Sequence, residues 1–142
     1  MADLGRLVTR TRVAASAAVA GTLIAGVALR VVVQGDLAKY VGDALYTVLI
    51  YALLVVLAPK ARPVTVASIA LGLSWAVEFF QLTPVPAELS RRSFVARLVL
   101  GSTFNAPDLF WYAVGAGFCW LLHSLASRTR ESKESTGLGG RL

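Results

Sequence analysis

Of the 142 residues, 56% are hydrophobic and only 15% charged, where an ordinary soluble domain carries about 45–50% and about 25%. A 15.1 kDa chain with that balance is one domain at most, and apolar residues gathered in runs predict membrane spans in place of a water-soluble core. The net charge of +6 would suit nucleic acid in a soluble protein, but in a membrane protein cations mark the cytoplasmic rim, so no nucleic-acid partner is expected.

The first apolar stretch, Val13 to Leu29, is uncharged, and Val31 to Val33 extend it past Arg30 to about the ~20 residues that a spanning helix needs. A signal peptide is the competing reading, because Arg6, Arg10 and Arg12 precede an Ala-rich run. The uncharged run exceeds the usual apolar core of about 7–15 residues, which favours a span. Ala14, Ala18, Gly21, Ala25 and Ala28 recur at helical spacing, and this small-residue face is expected to pack on another helix. Span two runs from about Lys39 to Ala58, interrupted by Asp43 and stopped by Pro59. Pro59-Lys60-Ala61-Arg62-Pro63 is a tight connection, and span three follows from Val64 to Thr83.

Span three contains Glu78 and Gln81 before Pro84 and Pro86 end it, and an ionisable group inside a span is a candidate functional residue. The next stretch, Val85 to Pro107, interleaves Arg91, Arg92 and Arg97 with apolar residues in runs too short to span. It reads as an interfacial or re-entrant segment. Span four runs from Asp108 to about Ala126 and opens on Phe110-Trp111-Tyr112, a cluster suited to the membrane interface. The fold class is therefore all-α: a polytopic membrane protein with four transmembrane helices over residues 1–126. Residues 127–142, rich in Ser, Gly, Lys, Arg and Glu, are expected to form a disordered cytoplasmic tail.

With both termini inside, nine of the 14 cations lie on the cytoplasmic side and five outside, which obeys the positive-inside rule. Asp43, Glu78, Gln81 and Asp108 then converge near the outer ends of their helices. On span three, Ala67, Ala70, Ser74, Glu78 and Gln81 share one face, so Glu78 should point inward, within reach of an arginine from the loop. Two of the acids have simpler readings as well. Asp43 follows Gly42 and can serve as a helix N-cap. Asn105-Ala106-Pro107-Asp108 is a capping sequence, with Asn105 at the N-cap and an acid three residues on. Glu78 has no such role, because it sits near a helix C-terminus, where the dipole disfavours an anion. Arg91 and Arg92 can bind lipid phosphates, pair with the acids or remain solvated. The single Cys119 excludes an intrachain disulfide, and His123 lacks partners at metal-ligand spacing, so no cofactor or metal is expected.

The order Tyr40-Val41-Gly42-Asp43-Ala44-Leu45-Tyr46, Glu78-Phe79-Phe80-Gln81-Leu82, Arg91, Leu98-Val99-Leu100-Gly101 and Phe104, then Asp108-Leu109, Tyr112 and Gly115 resembles a family of small bacterial four-helix membrane proteins of unknown function, sometimes labelled ribosome-maturation-like. It is also distantly similar to the VanZ-like proteins, whose pattern places a Glu and a Gln on one helix, an arginine in the next loop and an acid opening the last helix. Glu78, Gln81, Arg91 and Asp108 correspond. The chain differs in having Arg92 and Arg97 beside Arg91 and no Asn soon after Asp108. The resemblance implies a multi-pass bacterial plasma-membrane protein with an outer polar site.

The reading that follows is a non-enzymatic envelope protein that binds or senses a lipid headgroup or lipid-linked cell-wall precursor through Asp43, Glu78, Gln81, Arg91, Arg92 and Asp108. The alternatives are an intramembrane enzyme using Glu78 as general acid or base, and a structural assembly subunit. No nucleophile motif such as Gly-x-Ser-x-Gly accompanies Glu78.

Overall fold

The computed structural model describes residues 2–138, all helix, turn or coil. In chain order the helices are α1 (Ala2–Val32), α2 (Asp36–Leu57), α3 (Pro63–Phe80), α4 (Pro84–Arg92), α5 (Phe94–Leu100) and α6 (Ala106–Leu138). Four of them contain segments long and apolar enough to cross a membrane: Leu4–Val32, Asp36–Leu57, Pro63–Phe80 and Ala106–Thr129. Their outward surfaces are apolar, with Leu23, Ile24, Leu53, Ile69, Phe118 and Leu121 among the exposed side chains. That is the pattern of a bundle whose solvent is hydrocarbon, where exposing Leu or Ile costs nothing.

α2, α3 and α6 pack on one another, and α1 lies against α2. The contact between the three central helices rests on small and hydroxyl residues. Val66, Ala70, Ser74 and Glu78 form the buried stripe of α3, and Thr47, Tyr51, Ala52 and Val55 that of α2. Gly115 permits the closest approach, since a Cβ there would sit 2.4 Å from the Ala44 carbonyl oxygen. Thr47 and Ser74 meet hydroxyl to hydroxyl at 2.9 Å across α2 and α3. Ser74 also donates to the Ala70 carbonyl at 2.9 Å. A serine has one hydroxyl proton, so Thr47 is the donor of the pair.

Several boundaries differ from the expectation for physical reasons. α2 begins at Asp36, one turn before Lys39, because Gly35 at φ 88° supplies the sharp reversal after α1. Asp43 therefore lies two turns inside α2 and does not cap it. The small residues Ala14, Ala18, Gly21, Ala25 and Ala28 of α1 are all exposed. The packed face is the neighbouring one, with Ala15 buried and Val19, Thr22, Gly26 and Leu29 partly so. It carries small residues of its own, so the helix seats there. The interfacial stretch is two helices, broken at Ser93, which ends α4 and caps α5 by accepting from the Ala96 N–H at 3.3 Å. From Ser127 to Leu138 the polar stretch expected to be disordered continues α6 as helix. Helix-forming Arg, Glu and Lys extend it without needing an apolar partner, and residues 139–142 lie outside the described range.

Candidate functional site

At one end of the bundle, where α2 begins, α3 ends and α6 begins, three carboxyl side chains and one lysine come together. The construction starts with a capping problem. Asn105 precedes α6, and Asp108 occupies the third helical position, from which an acid ordinarily reaches back to the N-cap N–H. Here Glu78 of α3 takes that place. Its Oε1 accepts the Asn105 backbone N–H at 2.5 Å, and its Oε2 accepts the Tyr112 hydroxyl at 3.0 Å. Glu78 is 1% exposed, and its carboxylate sits against the positive end of the α6 dipole. The unfavourable location at the end of α3 is thereby offset by the start of another helix.

Because Glu78 takes the backbone donor, the Asp108 carboxylate is available to other groups. It accepts from the Asn105 side-chain amide and from Lys39 Nζ. Lys39 stands one turn before Asp43 on α2 and reaches it at 3.6 Å. Asp43 Oδ2 is buried with no hydrogen-bond partner. Accessibility divides the cluster: Lys39 is 44% and Asp43 19% exposed as side chains, whereas Asp108 and Glu78 are buried. Beside this mouth Tyr40 stacks on Trp111 at 5.5 Å, and Lys39 Nζ lies 5.8 Å from the Tyr40 ring.

The remaining candidates lie in the cap formed by α4 and α5. Gln81 ends α3 and donates from Nε2 to the Leu100 carbonyl at 2.7 Å, while its Oε1 is buried without a partner. It fits beneath Gly101, whose φ of 63° and lack of a Cβ make room for the amide. Ser90 donates to the Gly101 carbonyl at 2.6 Å, Arg97 donates twice to the Ser90 carbonyl, and the Tyr46 hydroxyl donates to Val99. Arg91 and Arg92 do not enter the carboxylate cluster. Both bind Glu88 of their own helix, and they are 76% and 75% exposed. Those two guanidiniums, Arg92 foremost, hold the Glu88 carboxyl below the ordinary glutamate range.

The structure thus brings Asp43, Glu78 and Asp108 together, uses Gln81 as a tie for the cap and leaves Arg91 and Arg92 on the surface. Lys39, Asn105 and Tyr112 complete the cluster, although the sequence marks Asn105 only as a cap, Tyr112 only as an interfacial aromatic and Lys39 only as the start of a span. The Lys39–Asp43 spacing of four and the Asp108–Tyr112 spacing of four were the available signals. Glu78, with both oxygens engaged and no open face, is placed as a tie between α3 and α6. Among the described residues no three His, Cys, Asp or Glu side chains gather as metal ligands.

No curated protein and no solved structure matches the chain. Residues 32–116 match a family described as proteins of unknown function (DUF2809), a stretch that takes in α2 to α5, the start of α6 and every residue of the cluster. With more than half of its length matched, this all-helical chain with four candidate membrane spans belongs to the DUF2809 family.

Proposed function

We propose that the protein binds a lipid headgroup, or a lipid-linked cell-wall precursor, at the open side of the Lys39–Asp43–Asp108 cluster, without catalysing a reaction. The observation that carries the reading is the charge balance: two carboxyl groups, Asp43 and Asp108, share one lysine, and the buried Asp43 Oδ2 has only the 3.6 Å ion pair with Lys39 and no hydrogen bond. In a low-dielectric site such an oxygen calls for a positive or hydrogen-donating partner. A headgroup with an amine beside a phosphate meets the whole arrangement. The amine donates to Asp43, and the phosphate faces Lys39 or the exposed Arg91 and Arg92. The VanZ-like order of Glu78, Gln81, Arg91 and Asp108 supports the same reading. On this reading both termini are cytoplasmic and the cluster lies at the outer face of a bacterial plasma membrane, an orientation that the excess of cations on the inner segments supports.

The test is lipid retention by the full chain after detergent extraction from vesicles of phosphatidylethanolamine and phosphatidylglycerol. Asp43→Asn should lower retained phosphatidylethanolamine roughly tenfold, the weight of one charge-assisted hydrogen bond of about 1.5 kcal/mol, and leave phosphatidylglycerol unchanged. Equal retention of phosphatidylethanolamine by wild type and Asp43→Asn would show that the cluster does not receive the amine.

A further inference from the structure

At the opposite end of the bundle the first turns of α1 and the connection from α2 to α3 form an open cavity of about 460 Å³, lined in part by Leu4, Val8, Arg12, Ala58, Pro59 and Lys60. Its chemistry is one-sided. Two cations line it and no carboxylate does, and among the described residues neither Arg12 nor Lys60 has an ion-pair partner. The wall is otherwise apolar, and exposed Leu57 and Val64 flank the connection on the surface of the bundle.

We infer that this cavity is a second lipid site, separate from the carboxylate cluster, and that it holds an anionic phospholipid by its phosphate. Arg12 offers a planar fork for two phosphate oxygens, and Lys60 supplies a point charge from the other side of the opening. Leu4, Val8 and Pro59 then receive the glycerol and the first methylenes of the acyl chains. A free anion would leave that apolar wall unused, whereas an amphipathic ligand covers it. The volume lies within the range of small-molecule sites, about 300–1,000 Å³. Basic clefts at the ends of transmembrane helices are the usual receptors of acidic headgroups.

The experiment measures phosphatidylglycerol binding to the full chain in vesicles of phosphatidylcholine with a minor fraction of phosphatidylglycerol. Each cation in the cavity makes a charge-assisted hydrogen bond to the phosphate, so Arg12→Gln or Lys60→Gln alone should weaken binding roughly tenfold, and the double variant about a hundredfold. Arg12→Lys with Lys60→Arg keeps both charges and should bind within a fewfold of wild type. Arg6→Gln with Arg10→Gln removes the same net charge from α1 outside the cavity and should weaken binding only by the diffuse surface field, severalfold less than the Arg12 and Lys60 double variant. An equal loss in that control pair would reduce the effect to the diffuse surface field and overturn the site. So would the double variant binding as wild type does. Displacement of the lipid by inorganic phosphate, beyond that by chloride at equal ionic strength, would make the occupant a free anion and overturn the lipid assignment. If instead Asp43→Asn fails to alter phosphatidylethanolamine retention while the Arg12 and Lys60 variants behave as stated, the cluster reading falls and this one stands.

Discussion

Glu78→Ala is the sharpest perturbation the structure offers. In the wild type its two oxygens satisfy the Asn105 N–H and the Tyr112 hydroxyl, and the side chain is fully enclosed. Truncation strands both donors. Interhelical hydrogen bonds in membrane proteins contribute from about 0.6 to about 1.7 kcal/mol each, whereas each stranded buried donor costs roughly 1–3 kcal/mol. The two limits bracket a loss of about 1–6 kcal/mol, and a value near 3 kcal/mol is expected. Glu78→Gln keeps one acceptor and turns an amide donor toward the other partner, so it should cost about half as much. A double-mutant cycle isolates the tie. Tyr112→Phe should cost about 1 kcal/mol in the wild type and nothing in Glu78→Ala, where the hydroxyl is already unpaired. Equilibrium unfolding in detergent measures these values, and amide exchange at Asn105 reports the cap itself, slow in the wild type and fast in Glu78→Ala. If Glu78→Ala unfolds within about 0.5 kcal/mol of wild type, or Asn105 exchange is unchanged, Glu78 does not cap α6 and its placement must be explained as an exposed or ligand-bound acid.

Gly115→Ala puts a Cβ 2.4 Å from the Ala44 carbonyl oxygen. Because a backbone atom is in the way, α2 and α6 must separate, at roughly 1–3 kcal/mol in unfolding experiments. Ser74→Ala should cost more than Thr47→Val: the first strands the Thr47 hydroxyl, while the second leaves Ser74 bonded to Ala70. Gly101→Ala meets both a positive φ and the Gln81 amide at 2.6 Å. It should detach the α4–α5 cap, visible as faster proteolysis after Arg91 or Arg92 with the four long helices intact. Glu88 should titrate below a free glutamate in a carboxyl NMR titration. Its carboxyl is depressed in the folded chain, so the ion pairs to Arg92 and Arg91 persist above the ordinary glutamate value and are lost as pH falls through the lowered one.

The four long helices were legible because run length and breaker residues suffice for that question. Pro59 and Pro63 bracket the turn between α2 and α3, and no polar interruption is dense enough to stop a span. Helix faces were less so. In α1 almost every position is small or apolar, so several faces could pack, and the stripe from Ala14 to Ala28 lost to the face of Ala15 and Val19. In α3 one face alone combines small residues with a carboxyl, and there the inward placement of Glu78 follows from the sequence. The break at Ser93 was hidden because Ser caps a helix only when the preceding one has ended, a fact set by the packing of α4 on α5.

The site was half legible, and the missing half has one cause: competition among partners. An arginine meets the carboxylate that costs least entropy to reach, and for Arg91 and Arg92 that is Glu88, three and four residues away on the same helix. Glu78 loses them and turns to the bare N–H at the start of α6, a donor that no list of ionisable residues contains. That choice displaces Asp108 from its capping role and leaves it to Lys39. Lys39, drawn to Asp108, holds Asp43 only at 3.6 Å. The Asp43 oxygen, ion-paired but without a hydrogen bond, is thus the remainder of a chain of substitutions that begins with Glu88. Spacing identified three of the acids in this chain, but which one is left without a full partner depends on the relative strength of every link, and that is fixed only when the helices are placed together.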